Sequence, residues 1–134
     1  MIKRTAMALI FTLAGCTTEP PAREAAAPPG GELAAALAGR SAGTTTSCVG
    51  SQDLRGSHSL GGGEAILFET RGSLVYVNRP RGGCTGFRPD LALRTSSQSA
   101  RLCEGDVIEA FDAPSGVSHG SCSLGPFTAY GRSR

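Results

Sequence analysis

The chain has 134 residues, 40% of them hydrophobic and 18% charged, with no Trp and a formal net charge of +2. That excess belongs to Lys3 and Arg4, and beyond them Arg balances Asp plus Glu. The balance removes any overall electrostatic case for a nucleic-acid partner, and the length allows one domain with a tether.

Met1–Arg4 is short and basic, Thr5–Leu13 is uncharged and mostly apolar, and Ala14-Gly15 leads to Cys16. A charged head, an apolar middle and a small-residue end make a secretory signal peptide over residues 1–15. The apolar run has fewer than half of the about 20 residues that a membrane-spanning helix needs. Leu13-Ala14-Gly15-Cys16 resembles the lipobox of bacterial lipoproteins. The resemblance implies a diacylglyceryl group on the Cys16 thiol, cleavage before Cys16 and acylation of the freed amine. Two or more acyl chains anchor a protein firmly, so the expected partner is a lipid bilayer. Thr17, where Asp would retain an enteric lipoprotein at the inner membrane, implies the outer membrane facing the periplasm.

Residues 16–31 read as the lipidated cysteine and a Pro/Ala-rich tether: four prolines and no large apolar residue preclude a packed core. Extended, such a segment reaches about 50 Å. Residues 32–134 form the single domain. Glu32–Ala38 favours a short helix, with Leu33 and Leu37 on one side, broken by Gly39 and Gly43.

Four further cysteines, Cys48, Cys84, Cys103 and Cys122, read as two disulfides in a small exported chain. Zinc is disfavoured, because no Cys-x-x-Cys pair occurs and neither His58 nor His119 has ligand spacing; no metal or other cofactor is expected. Of the three possible pairings, Cys48–Cys103 with Cys84–Cys122 is favoured. Roughly twenty large apolar side chains after Thr44 make a thin core that such crosslinks would support.

The clearest element is a hairpin, Glu64–Thr70 and Ser73–Asn78 about a two-residue Arg71-Gly72 turn. That register sets Phe68 opposite Val75 and Ile66 opposite Val77 on an apolar, core-facing side. Leu67 then faces Tyr76, and Glu69 faces Leu74, on an amphipathic, partly covered side. Further strands are expected at Leu91–Thr95, at Asp106–Asp112 and from Gly120 or Ser121 to Tyr130, with another between Ser47 and Leu54. The predicted fold is mainly β: a small antiparallel sheet, sandwich or partial barrel stapled by two disulfides, with one short N-terminal helix.

Candidate chemistry is weak. Ser57-His58-Ser59-Leu60-Gly61-Gly62 lacks the Gly two residues before the serine that a nucleophile elbow needs, and reads as a Gly-rich turn. Gly39–Thr45 lacks a phosphate loop's lysine. Asp106 and Asp112 share a strand parity that Glu109 does not, so with Glu104 they read as a solvated edge. Arg79, Arg81 and Arg88 read as a solvated loop. His119 lies near Cys122, but a disulfide would leave that residue no thiolate. No catalytic residue is assigned.

Several motifs resemble a family of small, uncharacterised lipoproteins and secreted proteins of alphaproteobacteria, over about residues 39–130. They are Gly39-Arg40-x-Ala42-Gly43, Ser47-Cys48-Val49, Ile66-Leu67-Phe68, Val75–Arg79, Arg81–Cys84, Leu102-Cys103-x-Gly105-Asp106 and Ser121-Cys122-x-Leu124–Phe127. Members that lack the counterparts of Cys84 and Cys122 together imply the favoured pairing. The family carries no assigned activity, so the expectation is a non-enzymatic interaction or structural module of the envelope, without a nucleic-acid partner. Alternatives are an inhibitor of lysozyme or proteases, and an envelope hydrolase. The Ser-Gly-x-x-Tyr signature of lysozyme inhibitors, with its nearby Trp, is absent.

Overall fold

The computed structural model describes residues 31–133. The signal peptide read over 1–15, the lipobox cysteine Cys16 and the tether as far as residue 30 lie outside the described residues. A helix α1 (Gly31–Ala36) leads into ten strands: β1 (Arg40–Thr46), β2 (Cys48–Gly50), β3 (Leu54–Leu60), β4 (Ala65–Thr70), β5 (Val75–Asn78), β6 (Ala92–Ser96), β7 (Arg101–Cys103), β8 (Val107–Phe111), β9 (Ser118–Ser123) and β10 (Phe127–Arg132). A short 3-10 helix, Ser51–Asp53, joins β2 to β3.

The strands form three antiparallel sheets, ordered β1-β10-β5-β4-β3, β6-β8-β9 and β2-β7. The fold is therefore mainly β with one short helix, and none of the sheets closes into a barrel. Ile66, Phe68 and Phe127 of the five-stranded sheet share one core with Val49 and Leu102 of the two-stranded sheet and Ile108 and Ala110 of the three-stranded sheet. Cys84, Phe87, Leu91 and Leu124 from the connections complete it. Phe68 meets Phe127 edge-on at 5.5 Å between ring centroids.

The opposite face of the five-stranded sheet is covered by the helix. Leu33 packs on Ala65, Leu67, Val75 and Val77, with Leu37, Leu60 and Tyr130 at the margin. Glu32 Oε2 accepts a 2.7 Å hydrogen bond from the Gly61 N–H, which ties the helix to the β3–β4 turn. A sheet covered on both faces needs strands that are apolar on both, and Ala65, Ile66, Leu67 and Phe68 are buried in succession.

The hairpin register differs from the expected one by one residue. Phe68 faces Tyr76, Leu67 faces Val77 and Glu69 faces Val75. The connection is Arg71–Leu74 rather than a two-residue turn, because Gly72 does not take the positive φ that such a turn requires. The Thr70 hydroxyl holds the longer loop, donating to the Leu74 carbonyl at 2.7 Å and accepting from the Gly72 N–H at 3.2 Å. The shift moves Val75 and Val77 to the helix side, since one residue of slip exchanges the two faces.

Three other segments depart from the sequence reading. Ser57–Leu60, expected as part of a Gly-rich turn running to Gly62, belong to β3, which has Arg55 as an extra residue in its ladder with β4. Arg40–Thr46 forms β1, a mostly exposed edge strand held to β10 by its ladder and by a Thr45–Thr128 hydroxyl contact of 3.0 Å. The single strand expected up to Tyr130 is two, β9 and β10, which belong to different sheets.

Candidate functional site

The four cysteines of the domain form Cys48–Cys103 and Cys84–Cys122, with Cα–Cα distances of 4.0 and 5.5 Å. The two bonds differ at one cysteine: Cys84 is buried, while Cys48, Cys103 and Cys122 are half-buried. Cys84 is 2% exposed and belongs to the main core. Its N–H donates to the Gly63 carbonyl at 3.0 Å. Gly63 has φ +93°, and a Cβ there would lie 2.1 Å from the Cys84 carbonyl oxygen, so this approach is open only to glycine. Cys48 and Cys103 are directly opposed in the two-stranded sheet, where both are half-buried.

Hydrogen bonds flank this strand pair. The Cys103 N–H donates to Asp106 Oδ2 at 2.7 Å, and the Glu104 N–H donates to the Ser47 carbonyl at 2.7 Å. Ser97 and Ser99 both donate hydroxyls to the Arg101 carbonyl, at 2.5 and 3.0 Å, which fixes the β6–β7 loop. Between that loop and Cys103, Asp106 and Val107 lies an open groove of about 690 Å³. A smaller cleft of about 150 Å³ lies between β3 and β6, lined by Leu54, Ser57, Phe68, Leu93, Thr95 and Leu102.

The charged residues singled out in the sequence are dispersed. Arg79 pairs with Glu64 at 3.8 Å, Arg81 with Glu104, and Arg88 with Asp90 at 3.1 Å. Arg94 pairs with Glu109 at 2.5 Å and lies over the Phe111 ring, 5.0 Å from its centroid. The Arg94 hydrogen bond, and then that of the Ser118 hydroxyl, hold the Glu109 carboxyl below its ordinary pKa. Asp106 caps the Cys103 N–H, while Asp112 accepts from the Ser115 N–H at 3.2 Å. The carboxylates thus face separate partners, as the strand parity implied. Among the described residues no group of three His, Cys, Asp or Glu side chains could hold a metal ion.

Ser57 and His58 are neighbours on β3, opposite Phe68 and Leu67 respectively, so their side chains point to different faces of the sheet. His58 therefore cannot activate Ser57. Gly39–Thr45 enters a strand rather than a helix, so it presents no helix N-terminus to a phosphate. Cys122 is disulfide-bonded, which removes the thiolate beside His119. Sequence reasoning missed the groove beside Cys103 because β7 is three residues long and its Ser-rich approach has no hydrophobic period.

No family model matches the chain, and no curated protein or solved structure does so.

Proposed function

We propose that this chain is an exported envelope lipoprotein whose domain is a non-enzymatic interaction or structural module, held on a lipid bilayer through acylated Cys16. The observation that carries the reading is that Cys48, Cys84, Cys103 and Cys122 all lie in disulfides. Such bonds persist in oxidising compartments and are rare in the cytosol. The sequence Leu13-Ala14-Gly15-Cys16 behind a basic and apolar head supplies the matching export and acylation chemistry. Thr17 favours the outer membrane and the periplasmic side.

An interaction module is favoured over catalysis by how the polar groups are used. The carboxylates and guanidiniums named above are taken up in separate surface pairs and loop caps. Ser57 and His58 diverge, and in the groove beside Cys103 the Ser97 and Ser99 hydroxyls are already committed to the backbone. The test is fractionation of cells with crosslinking in place. The chain should sediment with membranes, resist extraction by salt, be released by detergent, and capture a reproducible envelope protein. A cytosolic chain with reduced thiols would overturn the reading.

A further inference from the structure

The arginines of the domain divide by position. Arg79, Arg81, Arg88 and Arg94 each pair with a carboxylate. Arg40, Arg55, Arg71 and Arg132 pair with none among the described residues, and all four lie at one end of the five-stranded sheet. Arg40 opens β1, Arg132 closes β10, Arg55 is the extra residue near the start of β3, and Arg71 follows β4. Arg101, which also lacks a carboxylate partner, stands apart beside Cys48.

Arg40 and Arg132 are directly opposed across the β1–β10 ladder. Like charges so placed repel and destabilise a sheet, and here no acid relieves them. Arg132 shares its strand parity with Tyr130, so both arginines project on the side that carries the helix. On that side Arg40 and Arg55 line one hollow of about 170 Å³ with Glu69, Thr70 and Val75. Arg40 Nη1 donates to the Ser73 carbonyl at 2.6 Å, which holds the guanidinium in place and leaves its other N–H groups free. Two acids are near. Glu69 lines the hollow without pairing with either arginine, and Asp53 turns its Oδ2 toward Gly50. The balance around the hollow is positive, although the described chain as a whole is neutral.

We propose that this hollow binds a phosphate group, with Arg40, Arg55 and Arg132 as its donors. Guanidinium forks match phosphate oxygens in geometry and charge. Phosphate oxygens point in several directions, so one group can meet forks from β1, β3 and β10 at once, whereas the two oxygens of a carboxylate lie in one plane. Binding would also relieve the Arg40–Arg132 repulsion. The phosphate could be carried by a lipid headgroup or by a soluble compound, and the chemistry of the site is the same for both. The inference goes beyond the function proposed above and stands whether or not Cys16 is acylated.

The test is a titration of the full chain with inorganic phosphate at low ionic strength and neutral pH, followed by NMR of backbone amides and arginine side chains. Signals of Arg40, Arg55, Arg132 and Ser73 should move together and saturate, while those of Arg79 and Arg88 stay still. Arg55 and Arg132 are exposed, so both can be replaced without opening the core. Arg55→Gln and Arg132→Gln should each weaken binding about threefold, and Glu69→Gln should tighten it about threefold, as for exposed charge contacts. The gain at Glu69 is a change that a merely structural role would not produce. Shifts that never saturate, equal shifts at all arginines, or a Glu69→Gln chain that binds no tighter would overturn the inference. The unsubstituted chain carries the titration should a variant fail to fold. Sedimentation with phosphatidylglycerol vesicles, against phosphatidylcholine ones, then identifies the source. Weaker sedimentation of Arg55→Gln/Arg132→Gln assigns the phosphate to headgroups, and equal sedimentation assigns it to a soluble compound. Both chains carry residues 1–30, so any contribution from that segment cancels.

Discussion

Asn78 and Gly125 are bound to each other at both ends of a side-chain amide: Asn78 Nδ2 donates to the Gly125 carbonyl at 2.6 Å, and the Gly125 N–H donates to Asn78 Oδ1 at 2.9 Å. Asn78 is fully buried at the end of β5, and Gly125 lies where the chain leaves the three-stranded sheet for the five-stranded one. A Cβ on Gly125 would sit 2.2 Å from the Arg79 carbonyl oxygen. Replacing Asn78 by Ala strands two backbone groups without partners, at about 2–4 kcal/mol in total. Gly125→Ala forces the strands apart and should cost more than about 2 kcal/mol. Urea unfolding of the two variants measures both, and wild-type midpoints would show that this crossover is not pinned here.

Leu33 carries the helix onto the sheet. It is 9% exposed and covers Leu67, Val75 and Val77. Leu33→Ala should destabilise the domain by about 2 kcal/mol, near the low end for a leucine truncation because the site lies at the margin of the fold. The sheet face then opens, so a dye that reports exposed apolar surface should bind the variant before the unfolding midpoint.

The two crosslinks close 55 and 38 residues. Loop entropy alone gives each about 4 kcal/mol, an upper figure. Removing Cys84 and Cys122 also leaves a gap at a site 2% exposed, so Cys84→Ala/Cys122→Ala should lower the melting temperature further than Cys48→Ala/Cys103→Ala. Thermal melts of the two double variants decide it, and the opposite order would mean that the Cys48–Cys103 bond holds the core.

Glu109 and Asp90 are held below their ordinary carboxylate values, chiefly by hydrogen bonds from Arg94 and Arg88 respectively. A carboxyl whose pKa is lower folded than unfolded stabilises the fold at neutral pH and loses that contribution as pH falls through its folded value. Stability should therefore decline between about pH 5 and about pH 3, and Arg94→Ala should flatten that decline. Both groups are at the surface, so added salt should weaken the effect. Urea midpoints across this range, with and without Arg94, supply the comparison.

The disulfides and most β elements were legible because cysteine number, alternating apolar residues and Gly/Pro breaks each have a local cause. Ala92–Ser96 and Val107–Phe111 lie within a residue or so of the strands expected there. β1 and β3 were illegible because their residues are small and polar: Arg40–Thr46 is held by pairing with β10, and Leu54–Leu60 by pairing with β4. Ser59 shows the difficulty, being 2% exposed on a segment that reads as a turn. The β4–β5 register depended on the Thr70 hydroxyl and on Gly72 staying out of the left-handed region, neither of which composition reveals. The groove beside Cys103 arises from residues 95–107 meeting through tertiary pairing, which no local pattern encodes.

Mass spectrometry of the native chain taken from cell membranes reads the state of all five cysteines at once. An exported lipoprotein should show an N-terminal Cys16 carrying a thioether-linked diacylglycerol and an acylated amine, with Cys48–Cys103 and Cys84–Cys122 intact. An unmodified Cys16 still joined to Gly15, or free thiols at the other four positions, would contradict it.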